Sequence, residues 1–356
     1  MSESERREPR RVFIVGCRRS GTTWTMLLLA QHLEVVAVQQ ADFFRRLDHF
    51  GRWFKTKDEF GMCLLTARLG NGEAIPADAE TGLARLPVDQ ALSRAAYYDF
   101  IRPLARDVYD RFAACNPGAR VVVEQTPEYV QCWEEILRVF PDAWFLHVIR
   151  DPRSVFSSFR SAARTWADAL RFSDDPATVA AEWVREVESG RRIAAATDRY
   201  LEIGYEDLRR DSAAHLARLF DWLGLSADPV FCAKAVETCS LDRMRRSEGV
   251  APRGFFRKGE VSGWRAELTR GQIRTIEHVA GGLMRDLGYD LVHRHPVPPP
   301  LRLRARRFLR RRIDAGRRWA WQDEGRLRRA ASRALKAFPG LRKFVLQRVR
   351  RPVEGR

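Results

Sequence analysis

The stretch "VGCRRSGTTW" (residues 15–24) follows the apolar run "VFIV" and precedes the helix-like "TMLLLAQHL". Gly16 and Gly21 have the spacing of a phosphate-binding loop, G-x-x-x-x-G-K-[ST], but Thr22 stands where that loop has its lysine. In a triphosphate site the lysine reaches the β- and γ-phosphates and the next hydroxyl holds magnesium. Its loss argues against ATP hydrolysis and phosphoryl transfer, the chemistry of an ATPase or nucleotide kinase. What remains is an anion cradle. The backbone N–H groups of Arg19 to Thr23 and the positive end of the following helix face an anion. The hydroxyls of Ser20, Thr22 and Thr23 add hydrogen bonds, and Arg18 and Arg19 add charge. Recognition of a terminal phosphate with no metal is the chemistry this set supports. The competing reading is a glycine turn with threonine caps.

Two more segments carry phosphate-binding types. In "IRDPRSVFSS", Arg150 leaves an apolar run and Ser158 follows eight residues on, one to two turns into the next helix. A planar guanidinium and a hydroxyl in this arrangement can grip a second phosphate; the alternative is a surface salt-bridge arginine. In "FFRKGEVSGWR" (255–265), Arg257, Lys258 and the N–H of Gly259 can close over the same group, or form a plain basic loop.

The elements that position these residues alternate. A strand at about 12–16 leads through the glycine loop to a helix at about 22–33. Residues 35–118 read as irregular. "RVVVEQTPEY" (120–129) is a buried strand ending in a polar loop, and a helix follows at about 130–139. "PDAWFLHVIRDPRSVFSSF" repeats strand, loop and helix, with Asp151 as N-cap and Pro152 at the first helical position. "EWVREVESGRRIAAAT" is helical, "YLEIGYEDL" holds a short strand, and Gly224 closes the helix of "SAAHLARLFDWLGL". Alternating strands and helices imply an α/β fold, an open parallel sheet flanked by helices, with ligands beyond the carboxyl ends of the strands.

The three motifs in this order resemble the sulfotransferases that use 3′-phosphoadenosine-5′-phosphosulfate. In that family a loop of the form [KR]-S-G-T-T-W binds the 5′-phosphosulfate. An Arg–x₇–Ser element binds the 3′-phosphate, and an R-K-G-x-x-G-x-W-like loop caps the nucleotide. The resemblance covers roughly residues 10–293, including "YEDL" at 205–208 and "FDWLGL" at 220–225. It implies a P-loop-like fold and a metal-free donor, 3′-phosphoadenosine-5′-phosphosulfate. It places Arg19 at the transferring sulfuryl group, with Ser20, Gly21, Thr22 and Thr23 as the 5′ cradle and Arg18 beside them. Arg150 and Ser158 match the 3′-phosphate pair, helped by Arg257, Lys258 and Gly259. Trp24 resembles the tryptophan that stacks on adenine and Tyr205 a tyrosine near it, although both types also suit a core.

The general base is less defined. Relatives carry a glutamate about 21 residues beyond the loop's basic residue, where this chain has Gln40. Asp42, Glu124 and His49 are the candidates; a structural role for each is the alternative. "EQTPEY" resembles the family's E-K-[ST]-P-x-Y with Gln125 replacing lysine, and Ser262–Gly263 replaces Gly-Asp in the capping loop. The expected reaction moves a sulfuryl group to a hydroxyl or amine of a carbohydrate, glycolipid or small metabolite. A catalytically weak adaptor that keeps the nucleotide fold and binds an anionic membrane or nucleic acid is the other reading.

The 356-residue chain carries a net charge of +17, and its placement is uneven. Residues 301–356 hold 18 Arg and 2 Lys against 4 acids, so the first 300 residues are near neutral. This suggests a flexible start (1–10), a sulfotransferase domain (11–294), and a Pro-rich break ("HPVPPP", 295–300) leading into a basic tail (295–356). In the tail, Leu327, Ala331, Leu335 and Phe338 share one helical face and the other faces are basic. Such a helix lies on an anionic membrane surface, or packs on the domain with its arginines in water; no motif for specific nucleic-acid binding accompanies the charge. With no apolar leader, no span-length apolar run and six scattered cysteines, the expected location is cytoplasmic, peripheral at the inner membrane if the tail docks.

Overall fold

A computed structural model describes residues 8–45, 47, 63–64, 85–86, 94–165, 172–246 and 261–293. His49, Arg257, Lys258, Gly259 and the basic tail lie outside the described residues. Strands β1 (Arg10–Gly16), β2 (Val35–Gln39), β5 (Val121–Gln125), β6 (Trp144–Ile149) and β7 (Tyr200–Gly204) form one sheet in the order β2-β5-β1-β6-β7. Every pairing in it is parallel. A two-residue antiparallel ladder, β3 (Cys63–Leu64) with β4 (Arg85–Leu86), stands apart.

Strand β1 shows why the sheet is covered on both faces. Val12 and Ile14 face a core built with Leu28, Leu219 and Phe220, while Phe13 and Val15 face a core with Tyr109, Tyr129 and Phe140. Helices α1 (Thr22–Leu29), α7 (Ser212–Trp222) and α8 (Pro229–Thr238) supply the first core. Helices α2 (Arg94–Ala114) and α3 (Trp133–Val139) supply the second. A third core packs α4 (Pro152–Thr165) and α5 (Pro176–Ala196) on α10 (Trp264–Glu267) and α11 (Arg270–Asp286). The remaining short helices are α6 (Tyr205–Arg210) and α9 (Leu241–Arg246). Among the described residues, no helix is long and apolar enough to cross a membrane.

The alternating strand–helix pattern of the sequence is present, and differences fall where local signals are weak. The stretch 35–118 contains β2 and the 21-residue helix α2, whose internal Pro103 obscures its periodicity. The expected strand 120–129 ends at Gln125 and passes into a 3₁₀ turn, Pro127–Gln131. As expected, Asp151 caps α4, accepting from the Arg153 N–H at 2.8 Å. Gly224 closes α7 at φ +64°, where its N–H and that of Leu225 bond back to Asp221 and Phe220.

The carboxyl ends of β1, β5 and β6 lie side by side, so the segments after Gly16, Gln125 and Ile149 meet at one edge. On the β6 side the edge is braced by a buried cluster. Arg153 pairs with Asp151 at 2.7 Å and with Glu277 of α11 at 2.8 Å. Glu277 also accepts from the Val292 and His293 backbones.

Candidate active site

The glycine loop begins at β1 because only glycine fits there. At Gly16 (φ +141°) a Cβ would lie 2.4 Å from the Val148 carbonyl oxygen, and at Gly21 (φ +95°) it would lie 2.3 Å from the Tyr205 ring. Arg19 itself adopts a left-handed conformation at φ +70°, a strain that clusters at ligand sites. The turn is closed by the Ser20 N–H on the Cys17 carbonyl at 3.0 Å. That amide is therefore used inside the loop, which corrects the expectation that all N–H groups from Arg19 to Thr23 face a ligand. The N–H groups of Thr22, Thr23 and Trp24 open α1 and have no intrahelical acceptor.

The structure brings together residues from distant segments. Arg19 Nε donates to Ser158 Oγ at 2.9 Å, and Arg150 Nη1 donates to the Arg19 carbonyl at 3.1 Å. The Arg150 guanidinium lies over the Tyr205 ring at 4.2 Å, and Trp183 Nε1 holds the Arg150 carbonyl at 2.9 Å. Arg19, Gly21, Arg150, Ser158 and Tyr205 thus form one cluster at the loop. Ser20 adds a further observation: its hydroxyl is buried and has no hydrogen-bond partner among the described residues. An anion seated in the loop supplies that acceptor, so the residues fit a phosphate-bearing donor. Ser154 Oγ donates to the Val261 carbonyl at 3.1 Å.

Other expected residues stand differently. Arg18 was expected to charge the cradle, but its guanidinium is turned to carboxylates, at 3.0 Å from Glu182 and 3.8 Å from Glu128, over Phe159 and Phe172. The Thr22 and Thr23 hydroxyls meet the side-chain amide of Gln125 at 3.0 and 3.4 Å. Gln125, at the family's lysine position, is therefore a neutral brace for the cradle.

Trp24 is 6% exposed and donates through Nε1 to the Cys239 carbonyl at 3.0 Å. It is partly a core residue, touching Tyr205 edge-on at 6.0 Å. It also lines a cleft of about 380 Å³ with Arg209, Val236, Cys239, Ser240, Leu241 and Asp242. The sequence carries no local sign of this cleft, because its walls come from α6 and the junction of α8 and α9.

The base candidates separate clearly. Glu124 is fully buried, and Tyr109, Tyr129 and Thr126 hydroxyls bond to its carboxylate, as does the Asp42 backbone. Burial raises its pKa above the usual carboxylate range, and these hydrogen bonds oppose the rise. Asp42 (φ +59°) and Gln40 (φ +49°) are both left-handed. The segment is tied to β5 by the Gln40 N–H on the Gln125 carbonyl at 3.0 Å. The Asp42 carboxylate keeps some exposure and pairs with Arg45 at 2.7 Å.

Comparisons with known proteins identify the family. The family model described as "Sulfotransferase family" matches residues 9–229. Nodulation protein NoeE of Sinorhizobium fredii is 24% identical over 307 residues, 80% of this chain and 67% of its own. The omega-hydroxy-beta-dihydromenaquinone-9 sulfotransferase Stf3 of Mycobacterium bovis is 27% identical over 195 residues, 52% of this chain. That match spans 44% of the mycobacterial protein. Among solved structures, the sulfotransferase domain of the Synechococcus PCC 7002 olefin synthase aligns at a TM-score of 0.49 and 19% identity, over 81% of this chain and 98% of that one. With the family model matched over more than half its length and the glycine loop inside the match, the chain belongs to the sulfotransferase family.

Proposed function

We propose that the protein transfers a sulfuryl group from 3′-phosphoadenosine-5′-phosphosulfate to a hydroxyl of a carbohydrate, glycolipid or small metabolite. The observation that carries this reading is the convergence of Arg19, Arg150, Ser158 and Tyr205 on a lysine-free loop whose Ser20 hydroxyl lacks an acceptor. When bound, the donor supplies an activated sulfuryl group on a phosphate leaving oxygen.

The chain's own residues then have distinct tasks. Thr22 and Thr23 amides, the Ser20 hydroxyl and the start of α1 hold the 5′ end. Arg19 offsets the charge that develops on the leaving oxygen. Arg150 and Ser158 hold the 3′-phosphate, and Arg257, Lys258 and Gly259 close over it. The cleft at Trp24 takes the adenine. Asp42, at the carboxyl edge beside β5, accepts the acceptor's proton, and Glu124 holds its backbone in place. A metal has no task in this scheme.

The name of one relative agrees with a hydroxyl acceptor: it is an omega-hydroxy-beta-dihydromenaquinone-9 sulfotransferase. The basic face of residues 301–356 suits docking at an anionic membrane, where a glycolipid acceptor is presented. Sedimentation with anionic against neutral vesicles tests that docking, and equal sedimentation rejects it.

Calorimetry with 3′-phosphoadenosine-5′-phosphate against ATP–magnesium tests the donor. The reading requires binding of the former without metal and its loss in Arg150→Ala. Preference for ATP–magnesium, or an unaffected Arg150→Ala variant, rejects it.

A further inference from the structure

The cleft at Trp24 contains a cation with no hydrogen bond or ion pair among the described residues. Arg209, on the last turn of α6, places its guanidinium 4.8 Å over the Trp24 ring. It makes no hydrogen bond or ion pair to any described residue, although it is half-buried. Its neighbour Arg210 pairs with Asp207 at 2.8 Å, and the other arginines of this edge, Arg18, Arg19 and Arg150, all bond to protein atoms. A guanidinium has five N–H donors and a flat face. Holding one against an indole in a cleft, with no ion pair to a described carboxylate, makes sense where a planar ligand completes the contact.

The position of α6 explains which ligand. Tyr205 and Arg209 are four residues apart, so they share one face of the helix. Tyr205 touches Gly21 and Arg150 at the phosphate cradle, and Arg209 covers Trp24 at the cleft. One short helix therefore spans both parts of a nucleotide site, its first residue at the phosphates and its fifth at the base.

We propose that Arg209 is a specificity-determining residue: the purine of the donor nucleotide enters between the Trp24 indole and the Arg209 guanidinium, which closes over its outer face. This rests on the donor reading given above. Insertion requires Arg209 to lift from Trp24 by one ring thickness, which its long side chain does by changing rotamer. Arginine stacks on bases through its flat, weakly hydrated face. Lysine has the charge without the plane.

The test is calorimetry on the full-length chain with two ligands: 3′-phosphoadenosine-5′-phosphate and an abasic ribose 3′,5′-bisphosphate. Arg209→Ala should weaken the nucleotide about tenfold, as loss of one stacking partner does, and leave the abasic ligand unchanged. Arg209→Lys should lose nearly as much. Equal losses for both ligands would mean that Arg209 acts through its charge on the phosphates, and would overturn the assignment. Unchanged or tighter nucleotide binding in Arg209→Ala would overturn it too, the latter showing that Arg209 competes with the base. If the parent protein binds neither ligand, the donor reading itself fails. If it binds both equally, the donor stands and the base slot fails.

Discussion

Arg19 and Ser158, 139 residues apart in the chain, are joined by a 2.9 Å hydrogen bond from Nε to Oγ. The bond ties the loop after β1 to α4 and fixes a strained, left-handed arginine at the point where an anion would enter. Arg19→Ala should lower kcat by about 10² to 10³, the effect of deleting one preorganised charge-stabilising donor, with a smaller change in donor affinity. Ser158→Ala leaves the guanidinium in place but removes its bond to α4. It should weaken 3′-phosphoadenosine-5′-phosphate by about tenfold or more, since a hydrogen bond to a charged group contributes roughly 1.5 kcal/mol or more. Steady-state kinetics and calorimetry separate the two; equal effects on kcat and affinity in both variants would refute the division of roles.

Gly21 offers a steric test of the same cradle. A Cβ there would sit 2.3 Å from the Tyr205 ring at φ +95°, so Gly21→Ala must move α6 or the loop. The strain alone amounts to about 1–3 kcal/mol. Donor binding should be lost while the far core keeps its near-ultraviolet signature. Pairing the change with Tyr205→Ala removes the obstructing ring but not the strain at φ +95°, and should not restore affinity, because Arg150 loses the ring it packs on. Restored affinity in the double variant would show that Tyr205 has no part in binding.

What the sequence revealed and what it hid divide along a physical line. The loop, the Arg150–Ser158 pair and the capped start of α4 are written in short spacings, since a strand end, a turn and a helix start are local events. Arg18 was misplaced because its direction is decided by Glu182 and Glu128, which arrive from α5 and the turn after β5. The cleft at Trp24 was invisible for the same reason: Arg209 and residues 236–242 have no shared local pattern. By contrast α11 had a readable signal, the Thr269–Gln272 capping box.

Glu124 and Asp42 make different predictions although they adjoin. Asp42→Asn should lower kcat by about 10² to 10⁴, the range for removing a general base, and leave donor affinity intact. Glu124→Gln keeps the shape but cannot accept from three hydroxyls and the Asp42 backbone together. It should lower kcat by loosening the 40–42 segment, and shift the acceptor KM while the donor KM holds. Should Glu124→Gln abolish turnover and Asp42→Asn leave it unchanged, Glu124 would be the base and the order of roles reversed.

Glu186 couples stability and donor binding to pH. It lies on α5 under the loop, hydrogen-bonded to Cys17, with its Oε2 lacking a partner among the described residues. Burial foremost, and the charge of Glu182 next, push its pKa from 4.5 up to about 8. Between those values the folded protein keeps a proton that the unfolded chain has lost, so stability falls as pH rises through this window. Buried His147 acts in the opposite sense: burial lowers its pKa from 6.5 to about 3, so its contribution is lost as pH falls below 6.5. The two slopes oppose each other below pH 6.5, and between 6.5 and 8 that of Glu186 is no longer opposed by His147. Glu186→Gln should flatten the decline of Tm over that interval, which in the parent amounts to roughly 2 kcal/mol at most, and be the more stable protein at pH 8. Ionisation of Glu186 also brings negative charge beneath an anion cradle, so affinity for 3′-phosphoadenosine-5′-phosphate should fall over the same interval in the parent and hold steady in the variant. Parallel Tm and affinity profiles for the two proteins would show that Glu186 is already ionised at neutral pH.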